Sequence, residues 1–282
     1  MSQPGEDADR GTGGEVREDR TVGDRDLTCW RSPLGRWSAR IMHRISLTLG
    51  PKKALVLILA LGAAISATMT WVASEIYEAV IETDGVALLD HPVLEAMKRL
   101  RSPWLDAFAT DYTNLGGVIG MPILATVIMV ILALRRRSWT PVILITAAGV
   151  GSLLMTIAGK ELTGRARPAL VDAVPPYEYS PSFPSGHTLN SLVIAGVVAY
   201  LLVLRQRRRR DRVLTVGVAA LFAFTIGVSR VFLGHHWLTD VLAAWFLGVA
   251  WLSVVIMTHR LYLSATRRIT EGPVDTELPG GG

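Results

Sequence analysis

The chain has 282 residues, 50% of them hydrophobic, a mean hydropathy of +0.36, a net charge of +5 and a pI near 9.6. That is too apolar for an ordinary soluble domain of this length, so the positive charge reports membrane topology and anionic-lipid contact rather than nucleic acid. A lone cysteine, Cys29, excludes an intrachain disulfide. Zinc-spaced Cys/His clusters and Walker-type loops are absent from the sequence, so no metal and no cofactor is expected.

Residues 1 to about 28 are Gly, Asp, Glu and Arg with almost no apolar content. Such a segment cannot offset the entropy of ordering and is expected to be disordered. It lacks the apolar core of a signal peptide. From Cys29 to Lys53, Arg31, Arg36, Arg40 and Arg44 alternate with Trp30, Trp37, Ile41 and Ile45, as in a basic amphipathic segment lying on a membrane face. Ala54 to Ala73 is the first candidate span, since about 20 apolar residues at about 1.5 Å each cross the hydrocarbon core. A polar stretch follows, and within it Asp90–Leu100 has the spacing of a short interfacial helix.

Pro103 and Trp104 lead to a second span at about Leu115–Leu134, stopped by Arg135-Arg136-Arg137. A third runs from about Trp139 to Ala158. A loop from Gly159 to Gly186 contains five prolines. Further spans are expected at about Thr188–Leu204, Val213–Val228 and Val241–Met257. The expected fold is all-α, a polytopic membrane protein whose six transmembrane helices form a bundle. Its parts are a cytoplasmic amino-terminal region (1–53), a six-span domain (54–258) and a cytoplasmic tail (259–282).

Lys and Arg in the flanks orient the chain. The amino-terminal flank, Arg135–Arg137, Arg205–Arg212 and the tail all fall on one side when there are six spans, and the positive-inside rule makes that side cytoplasmic. The Arg205–Arg212 run is therefore read as a topology anchor and not as a nucleic-acid patch.

Three segments on the opposite, outer side resist a topological reading. They are Lys160–Pro168, Pro184–His187 and Ser229–Asp240. Lys160, Arg165, Arg167 and Arg230 collect where the rule disfavours cations, and a bound anion explains them. Lys160, Arg167 and Arg230 would neutralise phosphoryl oxygens, with Ser185 and the Gly186 N–H adding hydrogen bonds at a helix start. His236, held by Asp240 four residues on, would attack phosphorus, and His187 would protonate the leaving oxygen. Arg165 is a secondary candidate for phosphate or headgroup. His235 is read as structural, Glu161 as paired with a nearby cation and His91 as solvated.

Lys160-x6-Arg167-Pro168, Pro184-Ser185-Gly186-His187 and Ser229-Arg230-x5-His236-x3-Asp240 resemble the three signature motifs of the type 2 phosphatidic acid phosphatase superfamily, which also includes vanadium haloperoxidases. The resemblance covers about residues 104 to 258. It implies a membrane phosphatase acting on lipid phosphates in the bilayer, with the residue roles argued above. The outer-face site is expected at the plasma membrane, on a polyprenyl diphosphate, phosphatidate or phosphatidylglycerol phosphate, with a lean toward the first. A vanadate-dependent haloperoxidase is a rival that six spans oppose. A lipid-phosphate binding or transport protein is another, opposed by spans without charged residues.

Overall fold

The computed structural model describes residues 84–270, with side chains as far as Leu263, together with Thr68, Glu82 and the stretches 21–22 and 25–26. The chain divides into two compact units, Gly62–Ile256 and a second made of Met1–Leu61 with Met257–Gly282. In the second, Thr21–Val22 (β1) pairs antiparallel with Arg25–Asp26 (β2). This ladder corrects the expectation of disorder at those four residues. The rest of 1–28, the basic stretch Cys29–Lys53 and, apart from the helical Thr68, the expected first span lie outside the described residues.

The described part of the Gly62–Ile256 unit is helical. Its elements are α1 (Asp90–Arg99), α2 (Pro103–Thr113), α3 (Gly120–Arg136), α4 (Thr140–Thr163), α5 (Gly186–Arg205), α6 (Arg209–Phe232) and α7 (Leu238–Thr270), which leaves the unit at Ile256. The short helix expected at Asp90–Leu100 is α1. Among the described residues, α4, α5, α6 and α7 are long and apolar enough to cross a bilayer. Pro103–Gly116 and Gly120–Arg136 qualify as a fifth span if counted together across a 51° bend. A 3-10 turn at Asn114–Gly116 and an extended Gly117 make that bend.

Several boundaries differ from expectation: α6 starts at Arg209, ahead of Val213, α7 runs from Leu238 to Thr270, beyond both ends of Val241–Met257 and into the expected tail, and two further shifts bear on the site. α4 runs past Ala158 to Thr163, and α6 runs past Val228 to Phe232. Hydropathy weakens at the first charged residue, but a helix continues until its hydrogen bonding is interrupted. In α4 the interruption is Gly164, at φ 56°, whose N–H returns to the Lys160 carbonyl. Beyond α6 it is Gly234, at φ 71°, where a Cβ would lie 2.3 Å from the Asp172 carbonyl oxygen. Lys160 and Arg230 therefore reach the site from last helical turns and not from loops.

α5 is the central helix, packed against α4 and α6. Leu189, Val193, Val197 and Leu201, spaced by four, form its fully buried stripe. Trp251 and Trp245 of α7 donate their indole N–H groups to the Ala148 and Ala223 carbonyls of α4 and α6. The outward faces stay apolar and exposed, as at Ile123, Val127 and Ile131 of α3 and Leu214, Leu221 and Phe224 of α6. Apolar faces this continuous suit lipid and not water. The ends of α4 and α6 and the starts of α5 and α7 meet at one end of the bundle. At the other end, Arg136 reaches the Leu201 carbonyl near the end of α5.

Candidate active site

The loop Gly164–Ser185 folds over the end of α6 and the start of α7 and brings the three motifs together. Val174 N–H donates to the Leu233 carbonyl (2.9 Å) and Trp237 Nε1–H to the Ala166 carbonyl (3.0 Å). A small apolar cluster of Ala109, Phe232 and Leu233, with Met97, Leu105 and Val174 against it, holds α1, α2 and this loop on the end of α6.

His236 lies just before α7 and is 1% exposed. Its Nδ1 is 3.3 Å from Asp240 Oδ2 and its Nε2 is 3.2 Å from Arg167 Nη1. A guanidinium can only donate, so Nε2 carries the lone pair and the Nδ1 proton points at Asp240. Burial, followed by the positive charge of Arg167 and Arg230, holds the His236 imidazole well below its usual range, so it is neutral near pH 7. Asp240 also accepts from Trp237 N–H (2.9 Å), the reach of an N3 acid back to the N-cap of its own helix. The same carboxylate thus caps α7 and orients the imidazole.

The cations converge beside Nε2. Arg167 donates to the His235 carbonyl (2.5 Å) and the Ser180 carbonyl (2.7 Å), and pairs with Glu178 (2.9 Å). Arg230, 1% exposed, pairs with the other Glu178 oxygen. Its Nε is buried with no acceptor among the described residues, a free charged donor that an anion would satisfy. Lys160 donates to Ser180 Oγ (3.0 Å) and to the Pro181 carbonyl. Ser185 is fully buried at the start of α5; its hydroxyl accepts from Thr188 and makes no cap, so it leaves the first N–H groups, including that of Gly186, without a side-chain partner from it. The His187 ring lies against Gly117, where a Cβ would sit 3.2 Å from Nε2.

Arg165 is placed differently from the expectation. It binds Asp240 Oδ1 (2.5 Å), Thr239 Oγ1 (2.7 Å) and Asp90 Oδ2 (2.7 Å), behind Asp240. His235 turns away from its neighbour and donates Nε2–H to the Val174 carbonyl (2.7 Å). His91 is exposed, and its ring also meets Trp237 edge-on at 4.8 Å.

Two residues of this arrangement were not legible in the sequence. Asp90 reads there as an ordinary first-turn acid of a short helix. Glu178 sits in a Pro- and Tyr-rich loop with no periodicity. Burial raises the Glu178 pKa, but Arg230 and Arg167, with His236 and His187 nearby, outweigh it and hold the carboxyl at about 2. Burial and Arg230 push His235 down to about 4.

These shifts share one sign for stability. The unfolded imidazoles take up protons near 6.5 and the unfolded glutamate near 4.5, while the folded groups resist. Stability is complete above pH 6.5, falls as pH drops from 6.5 toward 4, and falls further between 4.5 and 2. Thermal unfolding in detergent is expected at a lower temperature at pH 5 than at pH 7.5, and equal midpoints would refute this.

Residues 139–262 match the PAP2 superfamily. The chain is similar to phosphatidylglycerophosphatase B of Bacillus subtilis (strain 168), with 33% identity over 176 residues, 62% of this chain and 85% of that protein. Its fold is similar to that of a transmembrane PAP2-type phosphatidylglycerolphosphate phosphatase from Bacillus subtilis, with a TM-score of 0.58 and 28% identity over 72% of this chain and 94% of that one. It also superposes on Aquifex aeolicus LpxE with a TM-score of 0.47 and 24% identity, over 60% of this chain and 94% of that one. The matched region holds all three motifs, and the chain belongs to the PAP2 superfamily, among its membrane-embedded phosphatases.

Proposed function

We propose that the protein removes a phosphate from a membrane lipid through a phosphohistidine at His236. The observation that carries this is the placement of the His236 ring, with Nδ1 3.3 Å from Asp240 Oδ2 and Nε2 3.2 Å from Arg167 Nη1, which assigns the proton to Nδ1 and the lone pair to Nε2. In the first step Nε2 bonds to phosphorus, the phosphorus–oxygen bond to the lipid breaks, and the departing oxygen takes a proton from His187. In the second, water bonds to phosphorus, the nitrogen–phosphorus bond breaks, and His187 recovers the proton. Lys160, Arg167, Arg230, Ser185 and the Gly186 N–H hold the equatorial oxygens as charge develops on them. Asp240 stabilises the imidazolium. The incoming phosphate takes the place of Glu178 between the two arginines.

A lipid is favoured over a soluble phosphate by an apolar groove of about 670 Å³ between α2 and α6, lined by Leu105, Phe108, Tyr112, Phe222, Val228 and Phe232. It runs up to Ser229, next to Arg230, so a tail in the groove leads its phosphate to the clamp. Val228→Trp, which fills the groove, is expected to raise KM for a lipid phosphate about tenfold and to leave nitrophenyl phosphate hydrolysis unchanged. Equal effects on both substrates would remove the groove from the reading.

The bilayer arrangement we propose has six spans, the first at Ala54–Ala73. Both termini are cytoplasmic, and the site faces outward from the plasma membrane at headgroup depth. Phosphatidylglycerol phosphate leads the candidate substrates, because the relatives carry that name, followed by a polyprenyl diphosphate and phosphatidate. Phosphate release from each by purified protein in detergent with EDTA tests the reading and ranks them. Binding of all three without release would support a lipid-phosphate carrier instead.

A further inference from the structure

Asp90 is a buried carboxylate that the reaction scheme does not use. It is 4% exposed in the first turn of α1, yet both its oxygens are engaged far away in sequence. Oδ1 accepts the Thr239 N–H (2.9 Å), 149 residues on. Oδ2 accepts the Thr239 hydroxyl (2.7 Å) and an Arg165 N–H (2.7 Å), the latter 75 residues on. Arg165 in turn donates to Asp240 Oδ1 (2.5 Å), whose other oxygen faces His236 Nδ1 (3.3 Å). Asp90, Arg165, Asp240 and His236 form one continuous chain, and Thr239 fastens Asp90 to the residue beside Asp240.

The charges give this chain a purpose. Asp240 needs its negative charge for His236, but a lone Arg165 at 2.5 Å would neutralise it. With Asp90 on the other side, Arg165 is shared between two carboxylates and the three groups together keep one net negative charge. A half-buried guanidinium with two carboxylates within 2.7 Å is well placed to hold both in fixed directions.

We propose that Asp90 is a positioning residue, acting through Arg165 and Thr239 to keep the charge and aim of Asp240 on His236. This rests on His236 being the nucleophile. It assigns Arg165 to the support of Asp240 and not to the phosphate.

The test is kinetic, on the full chain in detergent. Asp90→Asn keeps the shape and an acceptor but removes the charge. It is expected to lower kcat about 10–100-fold with KM unchanged, since the phosphate clamp is untouched. Adding Arg165→Met to Asp90→Asn removes the uncompensated cation and is expected to restore part of the lost kcat. A role confined to packing predicts the reverse, a double variant at least as impaired as the single one, and that result would overturn the proposal. So would an unaltered kcat in Asp90→Asn.

A readout free of turnover separates this inference from the phosphatase reading. Modification of His236 by diethylpyrocarbonate, followed by peptide mass spectrometry, is expected to slow in Asp90→Asn and to recover in the double variant. Equal modification rates in all three proteins would overturn the inference, even if no lipid were hydrolysed. A parent protein that hydrolyses none of the lipids, but shows this pattern, would remove the phosphatase reading and leave the positioning role standing.

Discussion

On the mechanism proposed above, alanine at position 236 is expected to lower phosphate release by about 10⁴-fold or more, because removing a covalent nucleophile disables the catalytic unit as a whole. Nε2 is the atom that the surrounding geometry prepares: Asp240 accepts a hydrogen bond from Nδ1–H, and Arg167 lies 3.2 Å from Nε2. The neutral state is kept by burial and by the two arginines. The acid limb of kcat/KM, which reports the free enzyme, is therefore expected below pH 6.5 once ionisation of the substrate phosphate is allowed for. Quenching turnover of a radiolabelled lipid phosphate in alkali should trap an acid-labile phosphoprotein in the parent and none in His236→Ala. Release within tenfold of the parent in a folded variant would place the nucleophile elsewhere.

The parts of this site differ in how well the sequence announces them, for physical reasons. His236 and Asp240 are four residues apart at a helix start, so one local rule brings them within reach. Lys160, Arg167 and Arg230 stand out because they oppose a global charge rule, and chain order alone carries them to one end of a bundle. Asp90 and Glu178 obey no local pattern. Each gains its meaning from partners on other elements, Asp90 from Thr239 and Arg165 and Glu178 from Arg167 and Arg230. Such pairings depend on how a proline-rich loop folds, which periodicity does not encode. The helix ends show the same limit. Hydropathy places the cores of α4 and α6 but stops short of the last turns, which hold Lys160 and Arg230.

Arg230→Met and Glu178→Gln are expected to move anion affinity in opposite directions. Among the described residues, Arg230 presents a buried Nε without an acceptor and a second nitrogen on Glu178. Removing it takes away a charged donor that, on the proposed mechanism, holds the phosphoryl oxygens, with an expected loss of about 10²–10³-fold in kcat/KM and weaker inhibition by vanadate. The fold should survive, because Glu178 keeps Arg167 as a partner (2.9 Å). Glu178→Gln acts on the competitor instead. With its negative charge gone from between the arginines, inorganic phosphate and vanadate are expected to bind about tenfold more tightly, the equivalent of about 1.4 kcal/mol. Lipid KM should fall with them, while kcat gains nothing because product phosphate leaves more slowly. Inhibition constants for vanadate across the parent and both variants separate two roles for this carboxylate. Tighter binding in Glu178→Gln means that Glu178 occupies the place of the substrate phosphate and yields to it. Weaker binding, in the same direction as Arg230→Met, means that Glu178 is scaffold that aims the arginines, and the phosphate must then enter beside it.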